Sequence, residues 1–247
     1  MAFVYIVLVL TALTGNVVVE AAETPASQAH FMVQVKAAIS GSTSLRLCGG
    51  ALLSTTHVVT AAACVLDDAS TVKVYSGTAT LWATGENGTE HSVSALRKHP
   101  SFSSTNGALG ISYYFDVAVL RLATPVTLNG LASSISVAGS RPAVGSTLSL
   151  AGWGVYFFGN PPEPTETSRL EVDSVTVMAS DQCSTKVLTP IPAGLICLAK
   201  TPDMGQSGSA AFAGGLLYAL MSWGGSVATD LTNAEVSSFI ATTVKSL

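Results

Sequence analysis

Charged residues are scarce in this sequence. Only 11% of its 247 residues are Asp, Glu, Lys or Arg, and Lys and Arg together number 11. The formal net charge is -4, and no run of basic residues occurs. The chain therefore lacks the positive surface that attracts phosphate groups, and we expect no nucleic-acid partner.

Spacings typical of metal sites are also missing. The four histidines and four cysteines form neither a His-x-x-x-His nor a Cys-x-x-Cys pattern. Such spacings bring ligands to one metal ion in the common zinc sites. We predict no metal and no cofactor.

Apolar residues are abundant and make up 48% of the chain, enough to bury a substantial core. Residues 2–19 are almost wholly apolar, and small residues at Val19 and Ala21 favour cleavage after Ala21. We therefore predict a signal peptide at 1–21 and a mature domain at 22–247. An uncleaved membrane anchor is the alternative, since the length just permits a span. Cleavage would give a secreted, extracellular protein without membrane contact.

The four cysteines predict two disulfides if the chain is exported. Of the three possible pairings, joining sequence neighbours is the simplest, which gives Cys48–Cys64 and Cys183–Cys197. The sequon Asn87-Gly88-Thr89 falls in a turn-forming stretch. Glycosylation of Asn87 is therefore plausible.

The chain alternates short β-branched runs with Gly, Ser, Asn and Pro, a pattern typical of all-β barrels and sandwiches. The clearest helix lies at about 234–245, where Val236, Ile240 and Val244 share one face. Strands are predicted in seven runs: 31–35, 51–53, 57–60, 71–75, 117–120, 147–150 and 216–221.

A serine between glycines stands at Gly205-Gln206-Ser207-Gly208-Ser209. Glycine lets the backbone approach a substrate carbonyl, so such a turn can present a nucleophile. Alone the signal is weak, because Gly/Ser clusters usually mark ordinary turns.

Several further segments occur together with this turn. These are Cys48 to Leu53, His57 to Cys64 and Asp116 to Leu122, with shorter ones at 99–102, 152–154 and 222–224. Together with Gly205 to Ser209, the first three resemble, in the same order, the motifs CGGSLI, WVVSAAHC, DIALLKL and GDSGG of the trypsin/chymotrypsin family of serine proteases.

The resemblance implies two packed six-stranded antiparallel β-barrels with the active-site cleft between them and a C-terminal helix. The first barrel is expected at about 30–125, the second at about 140–233 and the helix at 234–245. The cysteine pairs fall where two family disulfides lie.

The resemblance also implies a catalytic triad of histidine at position 63, aspartate at position 116 and serine at position 207, but position 63 is alanine. Ala63 has no group that could take the proton of Ser207. His57 precedes it by six residues on a predicted strand, and moving it would break the strand register. The remaining histidines, His30, His91 and His99, are interpreted as scaffold or surface residues. Asp116 then becomes a buried acid that needs hydrogen-bond donors, for which Ser222 is the candidate.

Two further family features depart from the pattern. Gln206 replaces the aspartate that pairs with the new N-terminus after activation, and residues 23–30 lack the activation sequence. The N–H groups of Gly205 and Ser207 therefore need not converge into an oxyanion hole. At the pocket positions, which are Thr201, Ser222, Trp223 and Gly224, we expect a narrowed or filled pocket.

The leading hypothesis is a secreted, non-proteolytic serine-protease homologue that acts by binding an extracellular protein, as a cofactor or decoy in a protease cascade. One alternative is an active serine hydrolase that uses Ser207 by other means. Another is a secreted storage or structural protein.

Overall fold

The computed structural model describes residues 28–39, 45–80, 88–107, 110–154, 169–199, 207–223 and 225–247. The strands of the described residues are β1 Met32–Ala38, β2 Leu45–Leu52, β3 His57–Thr60, β4 Val72–Ser76, β5 Thr89–Lys98, β6 Ser103–Gly107, β7 Gly110–Tyr114, β8 Ala118–Leu122, β9 Ser136–Val137, β10 Thr147–Gly152, β11 Glu171–Met178, β12 Leu195–Ala199, β13 Ala210–Ala213, β14 Leu216–Trp223 and β15 Val227–Asp230. The α-helices are α1 Ser180–Val187 and α2 Ala234–Ser246.

The first barrel closes in the order β1-β2-β3-β8-β5-β4, with antiparallel neighbours throughout. Alternate residues of a strand point to opposite faces, so the inward residues of six strands meet at the barrel axis. Val33, Leu52, Val74 and Leu120 are fully buried there.

The second barrel follows the order β13-β10-β11-β12-β15-β14 and closes through the pairing of β13 with β14. The short strand β9 adds to β14 in parallel, outside this ring. Leu150, Ile196, Leu198 and Met221 fill the interior. The predicted fold class of two six-stranded antiparallel barrels with a C-terminal helix is confirmed.

Helix α2 begins at the N-cap Asn233, whose side-chain oxygen accepts hydrogen bonds from the backbone N–H groups of Glu235 and Val236. Its buried face contributes Val236 and Ile240 to the core that lies between the barrels. Of the described residues, no helix is long and apolar enough to cross a membrane.

Helix α1 was not among the predicted elements. It is short and carries few apolar residues, so its periodicity is weak, and it ends at Leu188, whose φ is 55°. Cys183 on this helix is bonded to Cys197 on β12, and Cys48 on β2 is bonded to Cys64.

Candidate functional site

The turn at Ser207 is fixed where the two barrels meet. Gly49 N–H of β2 donates a hydrogen bond to the Ser207 carbonyl at 2.9 Å, and Gly208 N–H donates to the Met221 carbonyl at 2.8 Å. Gly208 has a φ of 82°, and a Cβ there would clash with the Gly49 carbonyl oxygen. Glycine is therefore required at this position by both backbone angle and space.

Asp116 lies beside this turn and is completely buried. Its carboxylate accepts hydrogen bonds from the Ser222 hydroxyl at 2.6 Å and from Ala63 N–H at 2.7 Å. Burial raises the pKa of Asp116 above its usual range, because the charged form loses its hydration. The hydrogen bonds from Ser222, Ala63 and Ala62 and the positive charge of Arg46 act in the opposite direction.

Ser222 connects Asp116 to Ser207. Its hydroxyl donates to the Asp116 carboxylate, while its carbonyl accepts the Ser207 hydroxyl proton at 3.0 Å. The Ser207 proton is thus held by a backbone carbonyl. A carbonyl oxygen is a very weak base, so this contact does not activate Ser207 for attack.

Ala63 occupies the turn at Ala62–Cys64, a single 3₁₀ turn that follows β3. Its backbone N–H donates a hydrogen bond to Asp116, and its methyl side chain has neither a hydrogen-bond donor nor an acceptor. The Arg46 guanidinium donates a hydrogen bond to the Ala63 carbonyl. Arg46 was not predicted as part of the site, since a single arginine at the start of a strand carries no motif.

Three histidines have partners away from Ser207. His57 stays on β3, where its Nδ1 lies 3.1 Å from both the Ser54 and the Thr56 hydroxyl oxygens. Burial lowers the pKa of His57, and the charge of Arg121 lowers it further. His91 Nε2 lies 2.9 Å from the Ser76 hydroxyl oxygen.

His99 belongs to an aromatic cluster. Its ring stacks on Phe115 with centroids 4.7 Å apart and lies 4.8 Å from Phe239 of α2. Its Nδ1 accepts a hydrogen bond from Ser101 N–H, and burial lowers its pKa. These contacts make His99 part of the packing between α2 and the first barrel.

Trp223 is 8% exposed. Its indole N–H donates a hydrogen bond to the Tyr113 carbonyl at 2.9 Å, and its ring packs in a cluster with Tyr113 and Tyr114. Both tyrosines belong to β7, which forms a separate hairpin with β6. The hairpin therefore covers this predicted pocket residue, and no sequence motif marks the contact.

Several predictions fall on residues outside the described ranges. These are the signal peptide at 1–21, Asn87, Thr201, Gly205, Gln206 and Gly224. In the ranges that are described, no group of three or more His, Cys, Asp or Glu side chains could hold a metal ion.

Two closed barrels with Asp116, Ser207 and Ser222 at their junction define the architecture of a chymotrypsin-like serine-protease domain. The sequence model of the Trypsin family matches residues 18–242. The chain belongs to the trypsin family.

Individual relatives agree with this assignment. Trypsin alpha of Drosophila melanogaster is 31% identical over 222 residues, which cover 87% of this chain and 80% of the relative. Trypsin delta of the same species is 29% identical over 221 residues, 87% of this chain and 81% of the relative.

A solved structure supports the fold. Neuropsin, a serine protease expressed in the limbic system of mouse brain, superimposes with a TM-score of 0.69 and 23% identity, covering 90% of this chain and 96% of neuropsin. At this identity the likeness establishes the two-barrel fold alone.

Proposed function

We propose that this chain is a secreted, non-proteolytic homologue of the trypsins that acts by binding an extracellular protein partner. The observation that carries the proposal is Ala63 in the position of the general base. Its backbone binds Asp116, and Ser207 donates its proton to the Ser222 carbonyl. Without a base beside the serine, the acyl-transfer step loses nearly all of its chemical acceleration.

The covered pocket residue supports the same conclusion. A tryptophan that is 8% exposed and hydrogen-bonded to Tyr113 offers little surface to a substrate side chain. A peptide would have to displace the β6–β7 hairpin before it could use Trp223 as a pocket wall. We therefore propose that the partner binds the surface around Ser207 and not a pocket lined by Trp223.

Secretion is part of the proposal. The apolar segment at 2–19 is typical of a signal peptide, and two disulfides persist best in an oxidising compartment. A cofactor or decoy role in an extracellular protease cascade fits a chain that keeps the two-barrel fold but has alanine at the histidine position of the triad. Recovering a protease or an inhibitor with the tagged chain from its native fluid would support that role. Recovery of no partner would favour a storage or structural protein.

The test of lost catalysis is labelling by a fluorophosphonate probe, which modifies only an activated serine. We expect no labelling of the wild-type chain, because Ser207 has no base beside it and donates to the Ser222 carbonyl. We also expect none of Ala63→His, because Gln206 and the missing activation sequence remove the ion pair that shapes the oxyanion hole in the family. Peptide mapping would locate any label, and an active trypsin treated in parallel is the control.

Stoichiometric labelling of Ser207 in the wild type would contradict the proposal and establish the alternative of an active serine hydrolase. Labelling of Ala63→His alone would show that the missing histidine is the only defect and that Gly205 and Ser207 already form an oxyanion hole. In that case our account of Gln206 as a second defect would be wrong.

A further inference from the structure

A cup-shaped cavity of about 170 Å³ lies at one end of the first barrel, and none of its lining residues belongs to the site described above. Its floor is buried and consists of Ser76, His91, Val126 and Ala132. The rim is formed by the start of β5 and by the segment that follows β8, which supply Thr89, Glu90, Thr124, Pro125, Thr127, Asn129 and Leu131.

Backbone hydrogen bonds fix both walls of the cup. On one side, Ser76 of β4 pairs with Thr89 of β5. On the other, Val126 N–H donates to the Thr55 carbonyl at 2.7 Å, and the Asn129 side-chain oxygen accepts from Leu131 N–H at 2.8 Å. The cup is therefore formed before any ligand arrives, which reduces the ordering cost of binding.

The rim offers hydrogen-bonding groups that the protein itself does not use. Within the described part of the chain, the hydroxyls of Thr89, Thr124 and Thr127 and the side-chain nitrogen of Asn129 make no hydrogen bond. Each hydroxyl can donate one hydrogen bond and accept two. Pro125 and Leu131 add an apolar patch beside these polar groups.

The cup carries almost no net charge. The Glu90 carboxylate forms an ion pair with Lys73 at 3.2 Å and accepts a hydrogen bond from the Tyr75 hydroxyl at 2.7 Å. Burial lowers the pKa of His91, which favours its neutral form. A phosphate or carboxylate ligand would be repelled by the Glu90 carboxylate, and none of the lining residues is a Lys or Arg that could pair with it. An ammonium ligand would have to compete with Lys73 for Glu90. A neutral polar ligand suits this balance best.

The geometry points to a binding site for one neutral sugar ring in the cup between Thr89 and Asn129. A sugar presents several hydroxyls that both donate and accept, which matches three unpaired threonine hydroxyls and one amide. Its C–H face matches the patch of Pro125 and Leu131. This inference does not depend on whether Ser207 is active.

The test is saturation-transfer NMR of the full secreted chain with the methyl glycosides of glucose, galactose, mannose and N-acetylglucosamine. We expect transfer to at least one of them and shifts of backbone amides in 88–91 and 124–132. Titration of that glycoside should give a Kd about tenfold weaker for the double variant Thr124→Val, Thr127→Val, which removes two hydroxyls at constant shape. Thr89 is left unchanged because it belongs to the Asn87 sequon.

Thr242→Val, an exposed threonine on α2, is the matched control and should bind like the wild type. Transfer to none of the four glycosides, or unchanged affinity in the double variant, would overturn the proposal. Methyl glucuronide binding as tightly as methyl glucoside would overturn it as well, since the cup is lined by Glu90 and by no Lys or Arg that could pair with the carboxylate. The natural ligand can be distinguished by comparing an oligosaccharide with the methyl glycoside of its terminal sugar. Tighter binding of the oligosaccharide would identify the ligand as the end of a glycan, and equal affinities would identify it as a free sugar.

Discussion

Asp116 and Ser207 lie in one site, and their hydrogen bonds differ in kind. The Asp116 carboxylate accepts from the Ser222 hydroxyl and the backbone of the Ala63 turn, so donors from both barrels meet on one buried group. Ser207 contributes one proton to a carbonyl. The difference teaches that Asp116 is held through its side chain by several donors, whereas Ser207 is held mainly through its backbone.

The backbone of the serine half connects the barrels. The Gly49–Ser207 hydrogen bond and the close approach of Gly208 to Gly49 bring β2 against the second barrel. Stability at this contact depends on the absence of a side chain. We therefore expect the largest stability effect at a glycine rather than at Asp116, Ser207 or Ser222.

Gly208→Ala should destabilise the protein by about 4 kcal/mol or more, because the new methyl meets a backbone oxygen that cannot move without separating the barrels. Urea unfolding followed by tryptophan fluorescence would measure the loss. If Gly208→Ala destabilises the protein less than Gly214→Ala, the control described next, the two barrels separate easily at this point.

Gly214→Ala is the matched control for that variant. Gly214 also has a positive φ, 56°, but a Cβ there would meet nothing within 4 Å. Gly214→Ala should therefore lower the free energy of unfolding only through the strain of an alanine at positive φ, by about 1–2 kcal/mol. The difference between the two variants isolates the contact between the barrels.

Ser222→Ala and Ser207→Ala compare the two halves of the site directly. The Ser222 hydroxyl donates a hydrogen bond to the buried carboxyl group of Asp116, so Ser222→Ala should lower the free energy of unfolding by about 2 kcal/mol. The Ser207 hydroxyl donates only to a carbonyl, so Ser207→Ala should lower it by about 1 kcal/mol or less. Urea unfolding at one pH measures both. Equal costs, or a larger cost for Ser207→Ala, would contradict our view that the Asp116–Ser222 contact stabilises the fold more than the Ser207 hydroxyl does.

Much of the fold could be predicted from the sequence because its motifs and its strand pattern agree. The strand at Thr147–Gly152 begins with alternating polar and apolar residues, the strand at His57–Thr60 is rich in β-branched residues, and helix α2 has helical periodicity. The strand at Thr89–Lys98 was not among the seven predicted runs, because its first buried position is the polar residue His91. Polar residues in inward positions obscure the alternation on which strand prediction depends.

The site could be predicted only in part. The sequence predicted Ser222 as the partner of Asp116, and the structure contains that hydrogen bond. It gave no indication of Arg46 at Ala63 or of Tyr113 over Trp223, because both contacts join residues far apart in sequence through backbone carbonyls. A carbonyl is present at every position, so no residue pattern marks it as an acceptor.

The pH dependence of stability tests the buried state of Asp116. At pH values below an ordinary aspartate pKa of 3.8, both the folded and the unfolded chain hold the proton. Between that value and the raised folded-state pKa, the unfolded chain releases the proton while the folded chain keeps it. Stability should therefore fall in this window as pH rises, by up to about 1.4 kcal/mol per pH unit.

Asp116→Asn removes this titration, so the free energy of unfolding of the wild type minus that of the variant should decrease with rising pH until Asp116 ionises in the folded state. All other carboxyl groups are common to the two chains and cancel in the difference. Ser222→Ala should extend the window to higher pH, because it removes a donor that favours the ionised form. A difference that increases with pH would instead show that the hydrogen bonds from Ser222 and Ala63 outweigh desolvation, and that Asp116 folds as a stabilising anion.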